Sequence, residues 1–285
     1  MLLTDVSFAG EVASQNQGHF YPIAGTATTR SLDGSSPLIQ LQRPFVYFGN
    51  TYSILYVNHN GHLTFNSSYW SYTPQRFPLY ESRDLIAPFW TDIDIRNTGL
   101  VLYNQYTNDS VLQQATQDIN SYFPNLSFSA EWVFVATWYE VAYFPTTGTK
   151  ATFQAVFISG GAKSFILFNY GSLAPTVWNV QAGYDTINSV HHFTIPGSFS
   201  SSATGVNSTF TLGSNVNVTG RWAFRVDSGA SGCQFNGKLF CKENVFFFSL
   251  PFNKGCQIPG LKGRSPAGFL EIVSHLLLIT WSRYV

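Results

Sequence analysis

The pattern of hydrophobic and polar residues along most of the chain has a period of two, which is the spacing of β-strands that bury one face. Residues 52–58 alternate in this way, with Leu55 and Val57 on one side. The longest such run, residues 128–141, is apolar on both faces, which predicts a central strand of a sheet. One of its faces carries Trp132, Phe134, Ala136 and Trp138.

One segment departs from this period. In residues 109–122 the apolar positions recur at steps of three and four residues, which is the spacing of one face of an α-helix. Asn108 or Asp109 can cap its first turn, and Pro124 follows its end. The apolar positions are Val111, Ala115, Ile119 and Tyr122. We therefore predict a mainly β fold with a minor α component: an antiparallel β-sandwich with one principal amphipathic helix at about residues 109–122.

Asn60 and Gly61 give the clearest turn signal, because both tolerate the positive φ that a two-residue type I′ hairpin requires. This hairpin would place His59 and His62 opposite each other beside the turn. Such a pair can bind a metal ion, but neither histidine belongs to a zinc-binding motif. We expect an exposed pair that flanks the turn.

Three further segments are interpreted from their turn and breaker residues. Gly160 and Gly161 separate two apolar runs and predict a second hairpin. Pro88 lies within the apolar run 85–90, and proline cannot donate to a strand ladder, so this run is predicted at a sheet edge or at the end of a strand. Residues 198–215 are polar and rich in serine, which predicts an exposed loop.

The composition excludes several classes of function. Hydrophobic residues make up 45% of the 285-residue chain, and charged residues make up only 11%, whereas about a quarter is usual. The net charge is zero and no cluster of Lys and Arg occurs, so neither a nucleic-acid-binding stripe nor a polybasic membrane-binding patch is expected. The chain also contains no nucleophile elbow and no phosphate-binding loop.

A series of short motifs occurs in a fixed order between Arg83 and Asp227. It includes RDLIAPFWTDIDIRNTG, SFSAEWVFVATWYEVAY, TFQAVFISGGAKSFILFNYG, VQAGYD and GRWAFRVD. These motifs resemble the NIDO domain family, an extracellular module of nidogen and of tectorin-like proteins. The segment from Asp33 to Phe65 is similar to the lead-in that tectorin-like proteins place before this domain.

The resemblance implies a secreted, non-enzymatic module of the extracellular matrix that mediates cell–matrix adhesion or matrix assembly through protein–protein contacts. The implied partners are extracellular matrix proteins or cell-surface proteins, with no nucleic acid, and no cofactor is expected. Association with a membrane would come only through other parts of the parent protein. The N-terminal sequence MLLTDVSFAGEV lacks a basic region and is interrupted by Asp5, so the signal peptide is expected to be missing from this chain.

We divide the chain into four parts. Residues 1–37 are an irregular N-terminal segment, residues 38–83 form a β-hairpin region that leads into the domain, and residues 84–228 form the NIDO domain. Residues 229–285 carry all three cysteines and are interpreted as a truncated or aberrant tail that contributes little to the core. The apolar run 275–281 is too short to span a bilayer.

Asp92 and Asp94 are weak candidates for a metal site or for paired catalytic carboxylates, because residues two apart on a strand face the same side. Ile93 and Ile95 would then face inward. No calcium-binding loop motif accompanies the two carboxylates. We expect a solvated strand edge or a turn cap, with neither metal binding nor catalysis.

Modification sites are predicted from simple motifs. Cys233 and Cys241 enclose a short loop and are candidates for a local disulfide, which would leave Cys256 over. N-x-[ST] sequons predict glycosylation at five surface positions. These positions are Asn66, Asn108, Asn125, Asn207 and Asn217.

Glycan binding by a lectin-like β-sandwich is the alternative function. It depends on whether the aromatic residues of the strands lie on the surface, where their faces stack on sugars, or in the core. Packing in the core is the stronger interpretation. The residues concerned are Trp90, Trp132, Phe134, Trp138, Trp178 and Trp222.

Overall fold

The structure, a computed structural model, describes residues 19–108, 110–145 and 148–228. These residues contain thirteen β-strands: β1 Thr26–Ala27, β2 Ile39–Tyr47, β3 Asn50–Asn58, β4 His62–Thr64, β5 Leu85–Trp90, β6 Ile93–Asp94, β7 Leu100–Tyr106, β8 Trp132–Tyr143, β9 Ala151–Gly160, β10 Lys163–Leu173, β11 Gln181–Asp185, β12 His192–Thr194 and β13 Arg221–Arg225. They also contain the α-helices α1 Ser110–Tyr122 and α2 Thr209–Leu212, and 3₁₀ turns at Ile187–Ser189 and Ser201–Ala203.

The strands form two antiparallel sheets that pack face to face. Sheet 1 has the order β1-β7-β8-β9-β10-β13, and β6 pairs with the end of β8. Sheet 2 has the order β12-β11-β5-β4-β3-β2. The predicted antiparallel β-sandwich with one principal helix is therefore confirmed.

Large aromatic side chains fill the space between the sheets. β8 lies inside sheet 1, as predicted, and its residues Trp132, Phe134 and Trp138 are fully buried in this core. Val133 and Val135 point to the other side of the sheet, where they are buried as well. Burial of one such apolar side chain contributes about 1.5–3 kcal/mol to the stability of the fold. The residues that the structure describes contain no cysteine. Apolar packing therefore holds this sandwich together.

Helix α1 covers the outer face of sheet 1. Val111, Ala115 and Ile119 are buried against the apolar side chains of that face, among them Val135 and Phe165. This confirms the predicted helix and the face through which it packs. The helix begins at Ser110 and ends at Tyr122, so its bounds also agree with the change of hydrophobic period.

A buried arginine ties this helix to the edge of sheet 1. The guanidinium of Arg221 on β13 donates to the carboxylate of Asp118 and to the hydroxyl of Tyr122, both at 2.8 Å. It also donates to the Asn169 side chain on β10 at 2.8 Å. A buried guanidinium needs several acceptors, and here α1, β10 and the backbone carbonyl oxygen of His19 provide them.

The β3–β4 connection differs from the predicted two-residue hairpin. Asn58 pairs with His62, so the loop has three residues, and of these only Gly61 has a positive φ, at +83°. Three-residue loops that end in a left-handed residue also fit the twist of the flanking strands. A Cβ atom on Gly61 would lie 1.8 Å from the carbonyl oxygen of Phe89, so the close approach of β5 requires glycine as well.

His59 and His62 are both fully buried, so the prediction of an exposed pair is wrong. The loop packs into the molecule instead of projecting from it. Its backbone forms hydrogen bonds with Gly34, Phe89 and Thr91 at 2.8–3.1 Å. These contacts remove both imidazole rings from water.

Strand β5 lies inside sheet 2, between β4 and β11, so the prediction of a sheet edge or strand end is wrong. All of its residues are buried. The register with β11 shifts between Ala87 and Trp90, which places Pro88 in a β-bulge. A bulge leaves the ladder locally unpaired, so proline is tolerated there inside a sheet.

Residues 198–215 are not a simple exposed loop. The hydroxyl of Ser208 accepts from the backbone N–H of Phe210 at 3.1 Å and caps the short helix α2. Phe210 is fully buried, with its ring 6.1 Å from that of Phe89 and 5.3 Å from that of Tyr170. One aromatic residue within a polar sequence therefore fixes the segment to the core.

The second predicted hairpin is confirmed. Gly160 pairs with Lys163, so Gly161 and Ala162 form the two-residue loop between β9 and β10. The positive φ of Gly161, +57°, explains why glycine follows the strand at this point.

The N-terminal part of the described chain follows an irregular course but pairs with both sheets. Strand β1 pairs with β7, and isolated bridges join Leu32 to Asp94 and Ser35 to Asn58. The division of the chain into four parts stays a prediction. Its last part, residues 229–285, lies outside the described residues.

Candidate functional site

The connection between β4 and β5 is long and has neither helix nor strand. It comprises residues 65–84, of which we term residues 66–84 the β4–β5 loop surface. Connections longer than about 12–15 residues without secondary structure are uncommon in compact domains, and many of them are binding loops. The loop covers the outer face of sheet 2, the face that points away from the inter-sheet core.

Polar side chains of sheet 2 hold the first half of this loop. The Asn58 side-chain oxygen accepts from the backbone N–H of Tyr69, and His62 Nε2 bonds the carbonyl oxygen of Tyr69, each at 2.8 Å. The indole Nε1 of Trp90 donates to the carbonyl oxygen of Ser71 at 2.9 Å. Side chains from three strands thereby replace the ladder partners that an irregular backbone lacks.

The second half of the loop is held by the last residue of β11 and by the turn that follows this strand. The carboxylate of Asp185 accepts from the backbone N–H of Leu79 at 2.6 Å and from the Ser189 hydroxyl at 3.0 Å. Ser189 Oγ in turn accepts from the backbone N–H of Tyr80 at 2.8 Å. Tyr80 and Ser189 both have positive φ, 58° and 53°, which costs about 1–3 kcal/mol for residues other than glycine. These hydrogen bonds offset that strain.

An apolar cluster lies between the loop and the sheet. Phe77, with Tyr69 and Leu79, packs on the outward side chains of β5, which are Leu85, Ala87 and Trp90. The guanidinium of Arg83 lies 4.0 Å from the ring centroid of Tyr69 and pairs with Glu81 at 2.6 Å. The loop is thus a packed layer rather than a free chain.

Three aromatic side chains project from this anchored backbone into solvent. Trp70 is 63% exposed, Tyr72 is 52% exposed and Tyr80 is 72% exposed. Their neighbours Tyr69 and Phe77 are turned inward. An anchored backbone with exposed aromatic rings loses little conformational entropy when a partner binds.

The anchor at His62 depends on the charge of the imidazole. Burial lowers the pKa of His62 to about 4, and it lowers the pKa of His59 in the same way. Nε2 of the neutral His62 ring donates to the carbonyl oxygen of Tyr69. A second proton would place a positive charge on a fully buried ring, so the anchor is stable with the neutral ring.

Asp92 and Asp94 do not form an open carboxylate pair. Asp94 is fully buried, and its carboxylate accepts from the backbone N–H of Arg96 at 3.0 Å and pairs with the Arg96 guanidinium at 2.7 Å. Ile93 and Ile95 are buried. Asp94 therefore has the geometry of a turn cap and not of a solvated strand edge.

Asp92 lies in a different environment from Asp94. Burial raises the pKa of Asp92 to about 6, and the charges of Asp33 and Asp94 add to this effect. Asp33 itself accepts from the side-chain amide of Asn60 at 2.9 Å. Within residues 19–108, 110–145 and 148–228, no three His, Cys, Asp or Glu residues are grouped so that they could hold a metal ion.

Most of the tryptophans considered for sugar stacking lie in the core. Trp90, Trp132, Trp138 and Trp222 are at most 4% exposed. Trp178 is the exception at 45%, and its indole Nε1 donates to the carbonyl oxygen of Phe144 at 2.6 Å. The tryptophans considered for sugar stacking are therefore core residues, with the exception of Trp178.

The predicted modification sites are located as follows. All five sequon asparagines are exposed, which are Asn66, Asn108, Asn125, Asn207 and Asn217. Their glycosylation stays a prediction. The disulfide candidates Cys233 and Cys241 lie outside the described residues. Neither helix of the described chain is long and apolar enough to cross a membrane.

Comparison with known protein families identifies the family to which this chain belongs. The family model of the Nidogen-like domain, NIDO, matches residues 53–228, which is more than half of the chain. The chain belongs to the NIDO family. The resemblance expected from the motifs between Arg83 and Asp227 is thereby confirmed.

Several curated proteins contain a similar segment. Alpha-tectorin of Homo sapiens is 36% identical over 81% of this chain and 12% of its own length. Alpha-tectorin of Gallus gallus is 38% identical over 82% of this chain and 14% of its own length. Nidogen of Drosophila melanogaster is 32% identical over 68% of this chain and 15% of its own length. The chain therefore spans less than a sixth of the length of these relatives. No solved structure matches it.

The periodicity of the sequence did not reveal the β4–β5 loop surface of this NIDO domain. The sequence SYWSYTPQRFPLYESR in this region follows neither a period of two nor one of 3.6. Aromatic residues interleaved with serine and proline are the signal that could have identified it. Such a mixture predicts rings that the local backbone pattern does not direct into the core.

Proposed function

We propose that this NIDO domain is a secreted, non-enzymatic module of the extracellular matrix that mediates cell–matrix adhesion or matrix assembly through protein–protein contacts. Its similarity to nidogen and alpha-tectorin supports the extracellular matrix setting. The partners are extracellular matrix proteins or cell-surface proteins. The observation that carries the proposal is the group of exposed aromatic rings on the anchored β4–β5 loop surface.

The physical chemistry of interfaces supports this location. Trp, Tyr and Arg are the residues that most often dominate the binding energy of protein interfaces. The loop presents Trp70, Tyr72 and Tyr80, together with the exposed Arg76. Because hydrogen bonds to sheet 2 already fix the backbone, a partner gains contact area without ordering a flexible loop.

Replacement of the exposed rings tests the proposal. We expect Trp70→Ser combined with Tyr72→Ser to reduce cell adhesion to surfaces coated with the chain by about tenfold or more, which is the loss expected for one or two interface hot spots. The melting temperature is expected to stay unchanged, because both side chains are more than half exposed. Binding to solubilised matrix proteins provides a second readout.

Val177 and Val206 provide a matched control. They are 95% and 92% exposed and lie outside the loop. Val177→Ser combined with Val206→Ser removes exposed apolar surface without touching the β4–β5 loop, so adhesion is expected to stay at the level of the unaltered chain. Equal adhesion for the loop variant and the unaltered chain would refute the proposed surface.

Glycan binding is the second candidate function. It is favoured by Trp70 and Trp178, whose exposed rings can stack on sugar faces. A glycan array separates the two functions. Specific binding of a glycan that is lost with Trp70→Ser or Trp178→Ser would favour the lectin-like function, whereas adhesion without any array signal would favour protein–protein contact.

The surroundings of the acidic residues support a role without catalysis. Paired-carboxylate hydrolysis needs two accessible carboxyl groups at a defined separation. The carboxylate of Asp94 is instead occupied by Arg96. We expect Asp92→Asn to leave adhesion unchanged, and a hydrolase activity that this substitution abolishes would contradict the proposal.

A further inference from the structure

An open groove of about 500 Å³ lies along the exposed side of strand β3. Its lining includes the run Asn50–Ile54, together with Ile187 and Asn66. Asn66 is also the asparagine of the sequon Asn66-Ser67-Ser68. A predicted attachment point for a glycan is thus part of the wall of a groove.

The floor of the groove is rigid. The hydroxyl of Tyr52 donates to the carboxylate of Asp84, and the other carboxylate oxygen of Asp84 accepts from the backbone N–H of Ile187 at 2.8 Å. Asp84 is buried. One buried carboxylate thereby fixes both a central residue of the groove and its far wall.

Asn66 is held at the rim of the groove by its own backbone. Its φ is +64°, a left-handed conformation that asparagine tolerates better than most residues, and Ser67 N–H donates to the carbonyl oxygen of Phe65 at 2.7 Å. The ring of Phe65 stacks on that of Tyr52, with centroids 4.0 Å apart. The residue before the sequon is therefore packed on the groove floor.

The chemistry of the lining suits a carbohydrate. Asn50, Thr51 and Ser53 are exposed and offer amide and hydroxyl groups, which hydrogen-bond sugar hydroxyls and N-acetyl groups. Ile54 and Ile187 are partly exposed and offer apolar surface for the C–H face of a sugar ring. Among the residues that the structure describes, no charged side chain lines the groove, so it does not favour an ionic ligand.

We propose that Asn66 is N-glycosylated and that the first sugars of this glycan lie in the groove along β3 as part of the folded domain. In the attachment step, Asn66 Nδ2 forms a bond to C1 of the first sugar of a lipid-pyrophosphate-linked oligosaccharide. The bond between C1 and the pyrophosphate oxygen breaks, and the lipid pyrophosphate leaves with that electron pair. The proton of Nδ2 passes to a base of the transferase. The proposal rests on the secretory route that the proposed function assumes.

The test uses the full chain, secreted from mammalian cells behind an added leader sequence. Peptide mass mapping measures the occupancy of each sequon, and peptide N-glycosidase is then applied to the folded protein. We expect release at Asn66 to be at least about tenfold slower than at Asn125 and Asn217, which do not line the groove, because the sugars on Asn66 must first leave it. After denaturation the three rates are expected to be equal.

Slow release at Asn66 could come from a glycan that lies in the groove or from slow action of the glycosidase on this peptide sequence. A variant that fills the groove distinguishes the two causes. Ser53→Trp places a ring where the sugars would lie, so release at Asn66 is expected to accelerate to the rate at Asn125. Thr107→Arg, an exposed position outside the groove, is the control and is expected to keep the slow release.

The contrary outcomes are distinct. If Asn66 carries no glycan while Asn125 and Asn217 do, the proposed modification is wrong. If the glycans of all three sites are released equally fast from the folded protein, the glycan of Asn66 does not lie in the groove. A secreted chain in which no sequon is occupied also overturns the modification of Asn66. Loss of the adhesive function alone leaves these measurements unaffected, because they involve no partner.

Discussion

The outer faces of the two sheets of this NIDO domain are covered by two different kinds of layer. Helix α1 covers the outer face of sheet 1, and the β4–β5 loop covers the outer face of sheet 2. The helix satisfies its own backbone hydrogen bonds, so it attaches mainly through apolar side chains such as Ile119. The loop has no internal ladder, and buried polar side chains such as Asn58 and His62 provide its backbone partners.

This difference decides what each layer can do. A helix that packs through an apolar stripe leaves a polar outer face, here with the exposed Gln113 and Gln117. A loop that is fixed through its backbone can turn its side chains outward, and it exposes Trp70 and Tyr80. The loop layer is therefore suited to recognition, and the helix layer to stability.

The largest effect is expected at the apolar face of the helix layer. Ile119→Ala removes a fully buried side chain and is expected to lower the free energy of unfolding by about 2–5 kcal/mol, from lost transfer energy and the cavity that remains. Urea unfolding measures this loss. Gln117→Ala, on the exposed side of the same helix, is the control and should change stability by less than about 0.5 kcal/mol. A similar small loss for both variants would show that α1 is not an integral layer.

A smaller but more local effect is expected in the loop layer. Asn58→Ala removes the acceptor of the Tyr69 N–H and the donor to the Thr64 hydroxyl, so it should cost about 1–3 kcal/mol. Because the lost bond anchors the loop, native-state proteolysis should cut within residues 66–84 much faster than in the unaltered chain.

The helix variant serves as the comparison for that experiment. Ile119→Ala lowers global stability by a similar or larger amount but leaves every loop anchor in place, so its cleavage should not concentrate in residues 66–84. If both variants are cut with the same pattern, the loop does not open independently, and the contrast between the two layers fails.

The same contrast explains how much could be predicted from the sequence. Period-two and period-3.6 patterns predicted the sandwich, the central strand around Trp132–Trp138 and helix α1, because in these elements burial follows a repeating backbone geometry. The β4–β5 loop has no such repeat. Its anchors are partners distant in sequence, such as Leu79 and Asp185. Local signals also misplaced His59 and His62, because tertiary contacts buried the turn that Asn60 and Gly61 indicated.

The loop anchor at His62 should make stability depend on pH. Burial lowers the pKa of His62 to about 4, below the value of about 6.5 that is expected for the unfolded chain. The unfolded state therefore binds more protons in this window, and stability is lost as the pH falls from about 6.5 towards 4. His59 acts in the same direction. The raised pKa of Asp92, about 6, acts in the opposite direction between about pH 4 and 6.

His62→Gln isolates the contribution of this one histidine. A glutamine amide can donate to the Tyr69 carbonyl oxygen in place of Nε2, and it does not titrate. Urea unfolding at pH 7 and pH 5 should show that the variant loses about 1–2 kcal/mol less on acidification than the unaltered chain. If the variant and the unaltered chain lose the same free energy of unfolding between pH 7 and pH 5, His62 is not the group whose protonation destabilises the fold.

The smallest effect is expected at the arginine of the loop layer. Arg83 stacks on Tyr69 and pairs with Glu81, but its side chain is 36% exposed. Exposed ion pairs and cation–π contacts each contribute no more than about 1 kcal/mol, so Arg83→Met should cost about 0.5–1 kcal/mol, and less at high salt.

Arg221→Met is the matched substitution in the helix layer, where the arginine side chain is 2% exposed and its partner Asp118 stays partly buried. Removal of one partner from a buried pair should cost about 3 kcal/mol. Urea unfolding at low and high salt compares the two variants. A loss at Arg83 as large as that at Arg221 would mean that the loop is held by its own exposed charges, and not by the buried hydrogen-bonding groups of sheet 2.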